Sequence, residues 1–359
     1  MVCLRKLIKA VVILTLIIAL GMVIQPDYML VMPGSTEGLG QLIELEGESR
    51  SEDGEFYMVT VSQRQANIWG LMYGAFHPVI DIRSFSESIP PGLSQEEYSE
   101  LLRSWMQDSQ NLAQVIALRK TGYDVPIASD GVEVVELIEE SPAEGLLEPG
   151  DIIKEVDGEE VNLAEDVVHA IQQKEIGEPV TLLISRDESL EEKALTTAYN
   201  PEQPDQAALR IYVRTLNWQP LLPFSISIET GPVVGPSAGM MFVLEIMDRL
   251  VPENLTRGYK IAGTGTITLD EKVGSIGGVK QKVVAAENAG AEYFLVPEEN
   301  YQEALQASRE IQVVKVGDLD EVIEFLETLD LQAEAECFQG AFPLDGAVSS
   351  AIGSLLPVA

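Results

Sequence analysis

Residues 273–297 read VGSIGGVKQKVVAAENAGAEYFLVP. Gly277-Gly278 marks a turn, the run Val283, Val284, Ala285 and Ala286 reads as an apolar helix, and Tyr293 to Val296 reads as a short strand rich in aromatic and branched residues. Working outward, Phe224 to Ile228, Tyr259 to Ile267 and Ile311 to Val316 have strand composition, and Met240 to Leu250 has the apolar spacing of a helix. Strands alternating with helices from Asp205 to Asp330 predict an α/β domain.

The string Gly235-Pro236-Ser237-Ala238-Gly239 opens the Met240 helix and fits the G-x-S-x-G pattern of a nucleophile elbow. A hydrolase of that type needs a histidine after the serine, and both histidines of the chain, His77 and His169, precede it. An esterase or lipase reading is therefore excluded. A serine nucleophile without histidine needs another base, and a lysine serves when burial lowers its pKa enough to free the amine. Lys260, Lys272, Lys280 and Lys282 all follow Ser237. Helical periodicity does not choose between Lys280 and Lys282, since each has apolar neighbours one turn on. Backbone N–H groups of the turn, those of Ser237 and Ala238, sit where a helix N-terminus can hold an oxyanion. Thr264 and Thr266, on the preceding strand, are candidates for orienting the amine.

The order GPSAGM, TGTITL, then VGSIGGVKQK resembles the proteolytic domain of Lon proteases, with its serine in GPSAG and its lysine in GGxK. That resemblance implies a Ser-Lys dyad made of Ser237 and Lys280. Val234 stands where ATP-dependent members usually carry an aspartate, and the sequence contains no GxxxxGK motif followed by Ser or Thr, so no ATP and no other cofactor is expected.

Upstream lies a second compact pattern, from residue 125 to 187. Val132 to Ile138 reads as a strand, Leu147 to Ile153 leads into another that ends at the Asp157-Gly158 hairpin signal, Asn162 starts a helix through Val167, Val168 and Ile171, and Val180 to Ser185 returns as a strand. With the string SPAEGLLEPGDIIKEVDGEEV, this order resembles bacterial PDZ domains attached to envelope proteases. The resemblance implies peptide binding by strand addition beside a helix, with a carboxylate-binding loop near Ala128 to Gly131, Asp130 and Gly131 being its candidate residues, and with His169 on the groove helix. The prolines of residues 199–204 mark a linker.

The N-terminus carries Arg5, Lys6 and Lys9 and then runs uncharged from Ala10 to Ile24. With Leu7 and Ile8 added and Lys9 snorkelling, this is a membrane-directed segment, short against the ~20 residues of a full span. A signal anchor is expected, with a cleaved signal peptide at Ala19-Leu20-Gly21 as the alternative. Its basic residues belong on the cytoplasmic side, which places everything after Gln25 outside. Ser94 and Glu97 form a capping box at the head of a helix whose apolar stripe runs through Tyr98, Leu101, Leu102, Trp105 and Met106 to a stop at Thr121-Gly122.

A chain of 359 residues, 46% hydrophobic, is long enough for more than one core. The formal net charge of −35 repels phosphate backbones and excludes nucleic acid as a partner. Two cysteines, Cys3 and Cys337, make neither a disulfide framework nor metal-ligand spacing, so no metal is expected. The expected fold class is multi-domain α/β and β, with an N-terminal transmembrane helix, a PDZ-like domain and a Lon-type α/β proteolytic domain. Its segments are a cytoplasmic N-terminus (1–6), signal anchor (7–24), extracytoplasmic N-terminal region (27–122), PDZ-like domain (125–187), linker (199–204), proteolytic domain (205–330) and tail (331–359). This anchor, PDZ and Lon-type arrangement is similar to the YlbL and SepM group of Gram-positive peptidases. It implies an ATP-independent serine endopeptidase at the cell membrane, single-pass, with its catalytic domain outside. Peptides or unfolded protein segments are its expected partners, a homo-oligomer is left open, and the competing reading is a non-catalytic PDZ chaperone or sensor.

Overall fold

The computed structural model describes residues 2–46, 53–89, 93–201 and 203–329. The linker residue Glu202, Cys337 and the tail from 331 onward fall outside these. The chain divides into two compact units: Met1–Tyr123 together with Phe224 onward, and Asp124–Pro223.

The larger unit is built on a six-stranded sheet in the order Gln312–Val316, Tyr293–Pro297, Lys260–Gly263, Glu55–Gln65, Tyr28–Gly38, Asp81–Ser84. Its first four strands are parallel and the last two pair antiparallel. The strand Tyr293–Pro297 is buried along its whole length, as a strand covered on both faces must be, and this explains its unbroken apolar sequence. The expectation of a separate N-terminal region is corrected here. Lys260–Gly263 pairs directly with Glu55–Met58, so residues 28–84 supply half of the sheet that also carries the catalytic-domain strands.

Three helices frame the site. The long helix Gln95–Lys120 has the expected capping box, in which the Ser94 hydroxyl accepts from the Glu97 N–H and the Glu97 carboxylate accepts from the Ser94 N–H. The helix Gly239–Leu250 is buried from Gly239 to Met247 and packs on the long helix. The helix Val279–Asn288 starts from Gly278 in the left-handed region (φ 73°), where a Cβ would also meet Val61 at 2.7 Å. Glycine is required there on both counts.

The smaller unit is built on a six-stranded sheet whose main path runs Ser189–Thr196, Pro179–Arg186, Ile152–Val156, Val132–Leu137, Ile211–Thr215, with Glu159–Glu160 paired off it to Ile152–Val156 and the helix Ala164–Gln172 against it. Its core gathers Val132, Val134, Ile153, Val167, Ile171, Leu182 and Ile184. The boundary at 205 is also corrected: Ala207 and Leu209 are buried in this core, and Ile211–Thr215 pairs with Val132–Leu137 as the terminal strand of the ladder. The smaller unit is thus an insertion in the chain of the larger. The host chain leaves at Tyr123 and resumes at Phe224, whose rings meet edge to face at 5.4 Å.

Candidate active site and peptide groove

Ser237 lies immediately before the buried helix, with Ala238 at the N-cap. Gly235 has φ 95°, which lets the chain turn sharply into the serine, and its N–H is held by the Leu102 carbonyl at 3.0 Å. The Pro236 carbonyl accepts from Ser109 Oγ at 3.1 Å. On the other side the Ser237 carbonyl accepts from the Gly265 N–H at 2.8 Å and from Thr264 Oγ1 at 2.9 Å. The serine backbone is fixed from the long helix and from the strand end together, so its hydroxyl has a defined direction.

The lysine beside that hydroxyl is Lys282. Its Nζ lies 2.8 Å from Ser237 Oγ and 2.8 Å from Thr264 Oγ1. Lys282 is 3% exposed and Thr264 1%. Burial penalises the charged ammonium, and with no carboxylate compensating, the pKa of Lys282 falls to about 7.

The placement expected of Lys280 is corrected. Its ammonium pairs with Asp81 on the edge strand and is half-buried. Asp81 also accepts from Gln281 Nε2 at 2.9 Å. Burial alone would raise the Asp81 pKa, but the hydrogen bonds from Lys280 and Gln281 and the attraction of Lys280 outweigh it and hold the carboxyl below its usual range. Residues two apart on a helix point about 200° apart around its axis. When Lys282 faces the serine, Lys280 therefore faces elsewhere.

Thr264 is brought to the centre and Thr266 is not; the latter pairs with Gly274 in a short two-stranded ribbon. The centre opens on a cavity of 790 Å³ lined by Met58 to Gln63, by Tyr98, Leu102 and Met106 of the long helix, and by Pro232 to Gly235. Signals for this wall were present in the apolar run of the long helix, but nothing local connected it with Ser237.

In the smaller unit an apolar groove of 170 Å³ lies between the helix Ala164–Gln172 and residues 207–213, lined by Val167, Val168, Ile171, Leu209, Ile211 and Val213. The strand Ile211–Thr215 is an end strand, hydrogen-bonded on one side to Val132–Leu137. Asp130 and Gly131 do not line this groove. Asp130 accepts from Asn217 Nδ2 at 2.7 Å and Gly131, at φ 97°, sits against Ile152. His169 is exposed and bonds Gln173 on its own helix. Among the described residues no group of three or more His, Cys, Asp or Glu side chains is arranged to hold a metal ion.

Residues 226–328 match the Lon protease (S16) C-terminal proteolytic domain, and residues 108–197 match the PDZ domain. The Lon protease of Roseiflexus castenholzii is 37% identical over 121 residues, covering 32% of this chain and 14% of that protein. The Lon protease of Mycoplasma mobile is 36% identical over 99 residues, covering 26% of this chain and 12% of that one. The PDZ domain of the SdrC-like protein from Listeria innocua is 26% identical, covering 23% of this chain and 93% of that structure at a TM-score of 0.22. The chain thus spans only about one seventh of the length of the Lon proteases it matches. It carries a Lon-type proteolytic domain and a PDZ domain, in a mixed α/β fold, and the first of these supports a serine peptidase. Among the described residues one helix, over Arg5–Val23, is long and apolar enough to cross a membrane.

Proposed function

We propose that the protein is an ATP-independent serine endopeptidase whose dyad is Ser237 and Lys282, cleaving extracytoplasmic peptides or unfolded protein segments. The observation that carries this reading is the buried Lys282 amine 2.8 Å from Ser237 Oγ. With a pKa near 7 the amine is neutral in a large fraction of molecules at neutral pH, and Thr264 Oγ1, receiving one of its N–H groups, turns its lone pair toward the serine hydroxyl. Lys282 takes the hydroxyl proton as Oγ attacks the peptide carbonyl. The resulting ammonium protonates the leaving amine, and the neutral amine then activates a water that hydrolyses the acyl-enzyme.

The oxyanion is received at the N-terminus of the Gly239–Leu250 helix. The N–H groups of Gly239 and Met240 are taken by the carbonyls of Pro236 and Gly265. Those of Ser237 and Ala238 make no hydrogen bond among the described residues, which leaves them for developing charge. An extended peptide fits the PDZ groove by adding beside Ile211–Thr215 with side chains between Val168 and Ile211. The absent phosphate-loop motif and the basic flank of the apolar N-terminal helix support ATP independence and an outward catalytic domain.

The test is hydrolysis of an unstructured fluorogenic polypeptide by the membrane-bound protein, with and without ATP. Ser237→Ala and Lys282→Met lose at least ~1000-fold in kcat/KM, Lys280→Met stays within a few-fold of wild type, and ATP has no effect. Survival of Lys282→Met with loss of Lys280→Met would restore Lys280 as base, and stimulation by ATP would overturn that part of the reading.

A further inference from the structure

The short helix Ile68–Phe76 reads IWGLMYGAF and contains no charged residue. Its start is capped by the Asn67 side chain, which accepts from the Gly70 N–H at 2.7 Å. Its inner face packs Leu71 onto a small cluster of Leu30, Ala66 and Ile80. Gly70 and Gly74 lie close against Leu30 and the 80–82 segment. That accounts for one side. The opposite side is equally apolar and uncovered: Met72 is 52% exposed, Tyr73 57% and Phe76 88%. A water-facing helix surface carries charges, so this one is not built for water.

Its neighbour identifies what covers it. Trp69 donates from Nε1 to the Ile18 carbonyl of the N-terminal helix at 3.0 Å. Gly21 allows this approach, because a Cβ there would collide with the indole. The contact falls within the uncharged run that continues to Ile24, roughly 9 Å below its outer end at 1.5 Å per residue. Interfacial helices bury their apolar face about 5–10 Å into the headgroup and acyl boundary, and Trp and Tyr concentrate at that level. The net charge of −35 disfavours anionic headgroups, so the attraction must be apolar rather than electrostatic.

We infer that Ile68–Phe76 is a second membrane contact, lying in the outer interfacial layer beside the N-terminal helix and seating the sheet that carries the catalytic centre on the lipid surface. The inference rests on the reading of the N-terminal helix as a membrane span. Held at two points, the domain loses the freedom to swivel on one flexible stem, and the strand Tyr28–Gly38, which follows the span and packs on this helix, is held at a fixed height.

The test uses the full chain in phosphatidylcholine vesicles, with Cys3→Ser and Cys337→Ser and a single spin label at one of three positions: Phe76→Cys, Leu14→Cys in the N-terminal helix, and Leu190→Cys, exposed in the strand Ser189–Thr196. Accessibility to oxygen and to a water-soluble nickel chelate is measured at each, and thermal melts verify folding. The expected result is that positions 76 and 14 both favour oxygen, while 190 favours nickel. Lipid character at 14 with water character at 76 overturns the second contact and leaves the span. Shielding of 76 from both reagents identifies a protein partner or a second copy and overturns the lipid assignment. Water character at 14 removes the span, and the inference with it.

Discussion

The proposed catalytic centre and the PDZ groove solve opposite problems with similar parts. At the centre a lysine, a threonine and a serine are packed together, with Lys282 3% exposed and Thr264 1% exposed, so these two side chains are withdrawn from water while Ser237 borders the cavity. In the groove the lining is largely apolar, and it includes residues of the end strand Ile211–Thr215, beside which we propose that an extended peptide adds. For an amine to act as base near neutral pH its pKa must fall, and at Lys282 removal from water is the cause. Recognition by strand addition requires an accessible edge. The first arrangement lowers fold stability and the second leaves it largely untouched.

That contrast can be broken most forcefully at Lys282. Its folded pKa of about 7 lies below the ordinary value of 10.5. The unfolded chain therefore binds the extra proton between pH 7 and 10.5, and stability rises with pH across that window. Lys282→Met, which keeps the volume and removes the charge, should be more stable than the wild type at pH 7. Its advantage should shrink by roughly 3 kcal/mol between pH 7 and pH 10. Chemical denaturation of both proteins at several pH values checks this, and a pH-independent difference would show that the amine is not desolvated.

A smaller effect is expected in the groove. Val168 lines it yet is 45% exposed, so Val168→Glu alters the binding wall without disturbing the core. Placing a carboxylate against the bound peptide should weaken cleavage of a protein substrate on the order of tenfold, through KM. Hydrolysis of a short fluorogenic peptide should be unchanged. Equal losses on both substrates would mean that the groove acts on the centre rather than on substrate delivery.

Local signals made much of this legible in the sequence. The Ser94 and Glu97 box, the Asp157-Gly158 hairpin and the turn into Ser237 are each fixed by neighbours within a few residues, and each stands where its residues imply. The parts that were not legible depend on pairings across long stretches of chain. Glu55–Met58 joins the catalytic sheet through Lys260–Gly263, and Ile211–Thr215 joins the PDZ ladder from beyond a proline-rich segment. The proposed dyad shows the same limit on a finer scale. The string GGVKQK offers two lysines, and both have apolar residues one turn on. What separates them is Asp81, on a strand whose place beside this helix no local pattern records. Asp81 takes Lys280, and Lys282 is left to turn inward to Ser237 and Thr264.

The proposed dyad works only if the Lys282 amine is neutral near physiological pH. The direct measurement is the pH titration of lysine side chains labelled with carbon-13 at Cε, followed by NMR, with the Lys282 resonance assigned by its absence from Lys282→Met. A midpoint near pH 7 is expected for Lys282, matching the rise of kcat/KM with pH on an unstructured peptide. A midpoint near the ordinary lysine value of 10.5 would contradict it, because a permanently charged amine cannot take the proton of Ser237.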